Sequence, residues 1–214
     1  MASYSAEHWG QASAVYDEHT LKIDGHEVME DWEQPYMNRL GVIASRNGGA
    51  VLELGYGMGL SSKVIESHGI ESHTIIECHP DVIQKCVTDN KAAFDNGKMH
   101  LFTGFWQDVT PMIASGTFDG ILFDTYPIKE EEMIGPHMFF FEEAHRLLKL
   151  GGVLTYYSDE ATGLSLSHIQ RLVDAGFDKK DINYEICEVT PPTDCEYWQS
   201  DTIVVPIIKK RKSS

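Results

Sequence analysis

A carboxylate stands at the end of an apolar run in the middle of the sequence. Ile121-Leu122-Phe123 leads directly into Asp124, within the segment 118–127 (FDGILFDTYP). In an open α/β sheet the carboxyl ends of the strands form the rim where ligands bind, so a carboxylate there can take a proton as a general base. Asp124 could alternatively cap a following helix and have no chemical role.

A second candidate lies upstream, in the segment 28–37 (VMEDWEQPYM). This segment is dense in carboxylates, aromatic rings and methionines, and it includes Met29, Glu33 and Met37. Because it precedes the core elements, we interpret it as a lid. An exposed amphipathic helix is the alternative, which periodicity does not exclude.

A glycine-rich loop follows the first apolar strand. The run 51–54 continues into Gly55, Gly57 and Gly59. Glycine accepts a positive φ and lets the backbone approach a ligand closely. Glu77 ends the next strand, 20 positions after Gly57. A carboxylate there can accept hydrogen bonds from both hydroxyls of a ribose.

Two cofactor classes compete for this loop. Nicotinamide sites favour GxGxxG, in which the third glycine packs a helix against a strand. The loop here is GxGxG and carries the additional acidic Glu53. It resembles the first motif of S-adenosylmethionine-dependent methyltransferases, and we predict that cofactor. Phe105 and Trp106, after the third strand, could stack on its adenine or could belong to the core.

Short β-rich runs alternate with longer amphipathic runs, which predicts an α/β fold with a mostly parallel sheet. Strands are predicted at 50–54, 72–78, 99–103, 118–123, 153–157, 181–189 and 202–208. Helices are predicted at 27–44, 60–68, 80–89, 139–148 and 165–175.

The charge balance bears on partners. The 214 residues contain 17 Lys and Arg against 33 Asp and Glu, a net charge of −16. That field repels phosphate backbones, so we expect no nucleic-acid partner. It suits a cationic or neutral small substrate, although solubility alone is the explanation that we favour.

The sequence contains no pattern typical of a disulfide, a metal site or a membrane-spanning segment. The four cysteines lack paired spacing and the histidines form no ligand motif, so we expect reduced thiols and no metal. No apolar run is long enough to cross a bilayer, and the start lacks a secretory signal. We therefore expect a cytoplasmic protein without membrane contact, either a monomer or a weak homodimer.

Seven segments resemble the guanidinoacetate N-methyltransferase family, in order. They are 28–37, 52–59 (LELGYGMG), 74–78 (TIIEC), 118–127, 145–156 (HRLLKLGGVLTY), 174–177 (DAGF) and 191–198 (PPTDCEYW). The resemblance runs from about Trp9 to the C-terminus, and DWEQPYM and ILFDTYP are more diagnostic than the glycine loop. It implies a Rossmann-like class I methyltransferase fold, with a mostly parallel seven-stranded sheet and helices on both faces.

The resemblance also implies roles for particular residues. Glu33 and Asp124 would be the catalytic pair that binds the guanidino group, with Asp124 as the base. Residues expected around S-adenosyl-L-methionine, with S-adenosyl-L-homocysteine as product, are Trp9, Met29, Met37, Glu53, Gly55, Tyr56, Gly57, Met58, Gly59, Leu60, Glu77, Cys78, Phe105, Trp106 and Asp124. The expected substrate-binding residues are Met29, Glu33, Asp124, Asp159 and Glu160.

The sequence departs from the family just after the fifth strand. The family continues with a longer neutral segment that helps to hold the substrate's carboxylate, whereas this chain has Asp159 and Glu160. If both point inward, like charges disfavour guanidinoacetate and favour a cationic or neutral far end. If they point outward as a helix cap, which we favour, the family's substrate is retained.

These observations give one hypothesis and two rivals. We expect one domain, with residues 1–45 as an N-terminal lid or helical segment and residues 46–214 as the methyltransferase core. It would methylate the guanidino nitrogen of a small molecule, with guanidinoacetate converted to creatine as the leading case. The rivals are methylation of another amine or arginine-like guanidine, and a non-catalytic S-adenosylmethionine-binding module.

Overall fold

The computed structural model describes residues 6–127 and 135–211. The outer ends of the two predicted ranges, residues 1–5 and 212–214, lie outside the described residues.

A seven-stranded sheet forms the centre of the chain. Its strands are β4 (Ala50–Leu54), β5 (Ser72–Glu77), β6 (Met99–Thr103), β7 (Phe118–Phe123), β8 (Leu148–Tyr156), β9 (Ile182–Glu188) and β10 (Thr202–Lys209). Their order is β6-β5-β4-β7-β8-β10-β9. The first five are parallel, and β10 runs antiparallel to both of its neighbours. The predicted mostly parallel seven-stranded sheet is confirmed.

Helices cover both faces of this sheet. They are α1 (Ala6–Gln11), α2 (Gln34–Ser45), α3 (Leu60–Ser67), α4 (Pro80–Asp89), α5 (Lys91–Asp95), α6 (Trp106–Val109), α7 (Phe141–Leu147) and α8 (Leu166–Asp174). Alternate residues of β7 face opposite sides: Leu122 packs with the cluster that includes α2 and α3, and Phe123 with the cluster of α7 and α8. Strands buried on both faces are near-continuous apolar runs, which is why the sequence identified them.

One glycine lets the first core helix lie close to the sheet. A Cβ atom at Gly120 in β7 would stand 1.7 Å from the carbonyl oxygen of Ala44 in α2. A side chain at this position would therefore push the helix away from the strand.

The N-terminal segment differs from the prediction. The helix predicted at 27–44 begins only at Gln34, because His26–Glu30 is a strand. This strand, β3, completes a three-stranded antiparallel sheet with β1 (Ala14–Tyr16) and β2 (Thr20–Ile23). Asp24 and Gly25 both have positive φ, 53° and 78°, between β2 and β3. An Asp-Gly pair of this kind favours a tight hairpin turn.

The helix predicted at 139–148 is also shorter. A 3-10 turn at Pro136–Phe139 precedes α7. Strand β8 begins at Leu148, ahead of the start predicted at residue 153, so it includes Gly151 and Gly152. Within the described ranges, none of the helices combines the length and apolar character needed to cross a bilayer.

Candidate active site

The carboxyl ends of the central strands meet at one rim of the sheet. Strand β4 pairs in parallel with β5 on one side and with β7 on the other. Gly55, Glu77 and Asp124 end or follow these strands, so they lie side by side. Two adjoining pockets open at this rim, which we call the cofactor cleft and the second pocket. Asp124 lines both of them.

The glycine loop forms the floor of the cofactor cleft. Gly55 has φ of 85°, and a Cβ atom there would stand 1.9 Å from the carbonyl oxygen of Asp124. Gly57 has φ of 53°, and its Cβ atom would meet the Met29 Sδ at 2.9 Å. Both positions therefore need glycine for conformation and for space.

Glu77 is held by backbone groups on the wall of the same cleft. Its Oε2 accepts a hydrogen bond from the backbone N–H of Tyr56 at 2.9 Å. Its Oε1 accepts from the N–H groups of Cys78 and His79 at 2.8 and 2.9 Å. A carboxylate has about four acceptor sites, so these bonds leave capacity for ligand hydroxyls.

Aromatic and thioether groups make the other walls. Trp9 stacks on Tyr126, with 4.8 Å between ring centroids and 12° between planes. The Met29 Sδ accepts a hydrogen bond from the Met58 N–H at 3.3 Å, which holds the thioether against the loop. Polarizable sulfur and aromatic faces suit a sulfonium. The cleft therefore fits the predicted cofactor.

The predicted cofactor residues divide into two groups. Those that line the cleft are Trp9, Met29, Gly55, Gly57, Glu77, Cys78, Phe105, Trp106 and Asp124. Those that the structure places outside its lining are Met37, Glu53, Tyr56, Met58, Gly59 and Leu60.

Glu53 shows why a residue of the motif can lie away from the cleft. It is fully buried, accepts hydrogen bonds from the hydroxyls of Ser61 and Ser62, and lies 3.1 Å from the His73 Nε2. These contacts tie the end of β4 to the start of α3. Glu53 thus supports the shape of the glycine loop from below.

Glu33 is buried at the second pocket. Its Oε1 accepts hydrogen bonds from the Glu30 N–H at 2.9 Å and from the Tyr197 hydroxyl at 2.5 Å. Burial, and then the charge of Asp124, raise the pKa of Glu33 to about 8. The two carboxylates predicted as a pair therefore interact electrostatically in this structure.

Asp124 lies where the two pockets join. Its backbone N–H donates to the Leu54 carbonyl at 3.0 Å, so its position is fixed by the sheet. Burial, followed by the charges of Asp159 and Glu53, raises the pKa of Asp124 to about 7. A carboxylate with a pKa close to neutral pH is well matched to proton transfer.

Sequence reasoning missed several lining residues. His79, Gln107 and Tyr126 line the cofactor cleft, and Tyr197 contacts Glu33 from a segment 164 residues away. Tyr126 could have been found, because it lies two positions after Asp124 in the diagnostic motif. Nothing local marks Tyr197, which acts through tertiary packing.

The acidic pair of the departing segment divides. Glu160 turns toward α8, where its Oε1 accepts from the Ser165 N–H at 3.1 Å and lies 3.2 Å from the His168 Nδ1. Asp159 lines the second pocket, and its charge raises the pKa of Asp124. We favoured an outward orientation for both side chains. That prediction agrees with the contact between Glu160 and α8, and it is wrong for Asp159. The predicted Met29 lies on the cofactor side instead of in the second pocket.

Similarity to known proteins is found over nearly the whole chain. A family model described as guanidinoacetate N-methyltransferase matches residues 3–211. The chain is 29% identical over 206 residues to "Protein arginine N-methyltransferase 2" of Aspergillus fumigatus, covering 88% of this chain and 46% of that protein. It is 31% identical over 147 residues to the protein of the same name from Yarrowia lipolytica, covering 65% and 29%. The chain therefore spans about half or less of the length of these relatives.

Solved structures share the fold. A spermidine synthase in complex with the transition-state analogue AdoDATO matches with a TM-score of 0.68 and 16% identity, over 94% of this chain and 74% of that one. M. jannaschii TYW2 in complex with AdoMet matches with a TM-score of 0.61 and 13% identity, over 94% and 86%.

Proposed function

This chain belongs to the guanidinoacetate N-methyltransferase family, a family of S-adenosylmethionine-dependent N-methyltransferases, and we propose that it methylates a guanidino nitrogen of a small molecule. The proposal rests on one observation above all. Glu33 and Asp124 are interacting carboxylates of raised pKa in the second pocket, and Asp124 also lines the cofactor cleft. Carboxylates bind the planar N–H fork of a guanidinium in bidentate fashion.

The reaction needs a proton acceptor beside the nucleophile. A guanidinium is protonated in water, with a pKa above about 12, so its nitrogen presents no free lone pair. The cofactor supplies a sulfonium methyl group, whose C–S bond breaks as the new N–C bond forms. Asp124 takes the proton that the nitrogen releases, and Glu33 orients the cation. Tyr197 holds Glu33 in place through its hydroxyl.

The N-terminal segment acts as a cover in this proposal. Trp9, Leu21, Ile23 and Met29 all line the cofactor cleft. Helix α2 belongs to the core by its packing, since Leu40 and Ala44 are fully buried in the cluster that covers one face of the sheet. A cover of this kind would exclude water from the methyl group during its transfer.

Two substrates follow from the relatives. The family name favours guanidinoacetate, which would give creatine. The fungal proteins are named for protein arginine, which presents the same guanidino group at the end of a longer side chain. Both are consistent with the carboxylate pair, and they differ in what the rest of the second pocket must accept.

The test is turnover with matched binding data. Purified chain with S-adenosylmethionine would be offered ethylguanidine, guanidino acids, guanidino amines and an arginine-containing peptide, with S-adenosylhomocysteine release as readout. Methylation of at least one guanidino nitrogen is expected. Binding of S-adenosylhomocysteine by calorimetry without methylation of any of them would indicate a non-catalytic binding module and would contradict the proposal.

A further inference from the structure

The end of the second pocket away from the cofactor cleft is strongly anionic. Six carboxylates line the pocket: Glu27, Glu33, Asp124, Asp159, Glu160 and Glu196. Among residues 6–127 and 135–211, no lysine or arginine lines it. Two of the six, Glu33 and Asp124, are assigned above to the guanidino group. The remaining four are not assigned to the guanidino group.

Asp159 is presented to this pocket by a fixed backbone. The preceding Ser158 is buried, its N–H donates to the Tyr36 hydroxyl at 3.2 Å, and its Oγ donates to the Val204 carbonyl at 2.7 Å. Asp159 itself has φ of 56°, a left-handed conformation that non-glycine residues seldom adopt. Such conformations persist where the surrounding structure imposes them, and they cluster at ligand sites.

The carboxylate of Asp159 has no cationic partner in the described part of the chain. Its closest charged or titratable contact is the His137 Nδ1, at 3.6 Å from Oδ2, beyond hydrogen-bond distance. Although 53% of its side chain is accessible, the pocket walls and then the charge of Glu160 raise the pKa of Asp159 to about 6. With a pKa of about 6, most of the carboxylate is ionised at neutral pH. Its side chain lines the pocket.

His137 gives an independent indication of a missing ligand. It is 1% exposed and lines the same pocket, and neither ring nitrogen has a hydrogen-bond partner among the described residues. Its ring packs against those of Tyr156 and His168, with centroid distances of 4.9 and 5.0 Å. Buried polar groups in native proteins are paired, so a doubly unpaired imidazole indicates a group that is absent here.

The imidazole of His137 is suited to a ligand that donates a hydrogen bond. Burial, and then the charge of His168, lower the pKa of His137 to about 3, so the ring is neutral. A neutral imidazole offers one acceptor nitrogen and no positive charge. Together with Asp159 it makes a site that accepts hydrogen bonds and that would repel an anion.

We propose that Asp159 and His137 form a distal subsite for a cationic amine, so that the preferred substrate is a guanidino amine instead of a guanidino acid. The proposal rests on the proposed function for the reacting end and adds the chemistry of the other end. An ammonium group carries three donors and no acceptor. It would neutralise Asp159 and donate to the free nitrogen of His137. A substrate carboxylate would instead be brought beside a carboxylate.

Three matched ligands test this proposal. Aminoethylguanidine, guanidinoacetate and ethylguanidine share the guanidino end and carry a cationic, an anionic and no distal group. Binding of each would be measured by calorimetry with S-adenosylhomocysteine present, and turnover with S-adenosylmethionine. We expect the affinity for aminoethylguanidine to be higher than that for guanidinoacetate by a factor of about ten or more.

Variants assign that preference to the subsite. Asp159→Asn removes the charge while asparagine tolerates the left-handed backbone. It should abolish the preference for the amine over both guanidinoacetate and ethylguanidine. Asp159→Glu should retain part of the preference. Asp95→Asn, the same change at an exposed ion pair with Lys91, should have no effect on selectivity.

The outcomes separate the two proposals. Tighter binding or faster turnover of guanidinoacetate, or of an arginine peptide, would overturn the distal subsite and leave guanidino methylation standing. A preference for the amine that survives in Asp159→Asn would also overturn it. Selective amine binding without methylation of any guanidino compound would support the subsite and contradict the proposed reaction.

Discussion

The cofactor cleft and the second pocket are built in different ways. The cofactor cleft depends on backbone: glycines of positive φ in close contact with their neighbours, and a Glu77 carboxylate held by three backbone N–H groups. The second pocket depends on side chains from distant segments, and three of its carboxylates, Glu33, Asp124 and Asp159, have raised pKa values. The first arrangement suits a ligand common to many proteins, whereas we propose that the charge of the second serves one particular ligand.

The largest effect should come from Asp124→Asn. If the second pocket supplies the base, kcat should fall by about a hundredfold to ten-thousandfold. Affinity for S-adenosylhomocysteine should be retained, because the backbone of the cleft is unchanged. Steady-state kinetics and calorimetry measure the two quantities. Full activity in this variant would contradict the role of Asp124, and Asp95→Asn is the matched control.

The same variant should not lose stability. An acid whose folded pKa is raised makes no contribution below its unfolded pKa, and its ionisation destabilises the fold as the pH rises toward the folded value. Burial raises the pKa of Asp124 to about 7. Asp124→Asn should therefore raise the melting temperature at a pH of about 8, and the gain should disappear near the unfolded pKa of about 4.

The pH dependence of kcat/KM should follow the second pocket. The raised pKa values are about 7 for Asp124 and about 8 for Glu33, and the ionised forms are the active ones. Since both must be ionised, kcat/KM should rise about a hundredfold per pH unit below about 7, about tenfold per unit between about 7 and 8, and then level off. Affinity for S-adenosylhomocysteine should change little over the same range. A flat kcat/KM profile between the two values would contradict ionisation of the pair as a requirement.

Gly57→Ala should damage the cofactor cleft alone. The added Cβ would meet the Met29 Sδ at 2.9 Å in a backbone with positive φ. We expect about a tenfold loss of S-adenosylhomocysteine affinity. Gly97→Ala is the matched control, because Gly97 has φ of 76° and open space around it. If both variants lost S-adenosylhomocysteine affinity equally, the loss would come from backbone strain in general and not from a contact in the cleft.

Tyr197→Phe should have the smallest effect. The Tyr197 hydroxyl donates a hydrogen bond that lowers the pKa of Glu33, and the variant removes this bond. The pKa of Glu33 should rise, and kcat/KM at neutral pH should fall by about three- to tenfold. The pH profile should recover most of the loss at higher pH. A loss that is independent of pH would show that Tyr197 acts in some other way.

The difference between the two regions also explains what the sequence could predict. Strands β4, β6 and β7 have the predicted bounds. The central strands β4 and β7 were identified because strands buried on both faces are near-continuous apolar runs. The N-terminal sheet was missed, because residues 27–44 were predicted as one helix and the Asp24-Gly25 turn was not used. The two predicted carboxylates, Glu33 and Asp124, do line one pocket.

The rest of the second pocket was not accessible from local patterns. Tyr197 reaches Glu33 across 164 residues of sequence. His137 has no hydrogen-bond partner among the described residues, and its environment is made by the rings of Phe141, Tyr156 and His168. The orientation of Asp159 depends on its left-handed backbone, whereas the sequence alone favoured the outward alternative.

The most direct test of the central claim locates the transferred methyl group. The chain would be incubated with methyl-labelled S-adenosylmethionine and aminoethylguanidine, and the product analysed by NMR. This substrate offers two nitrogen nucleophiles, one at each end. We predict that the label appears on a guanidino nitrogen in the wild-type protein and is lost in Asp124→Asn. Label on the primary amine, or undiminished transfer in the variant, would contradict the assignment of Glu33 and Asp124 to the guanidino group.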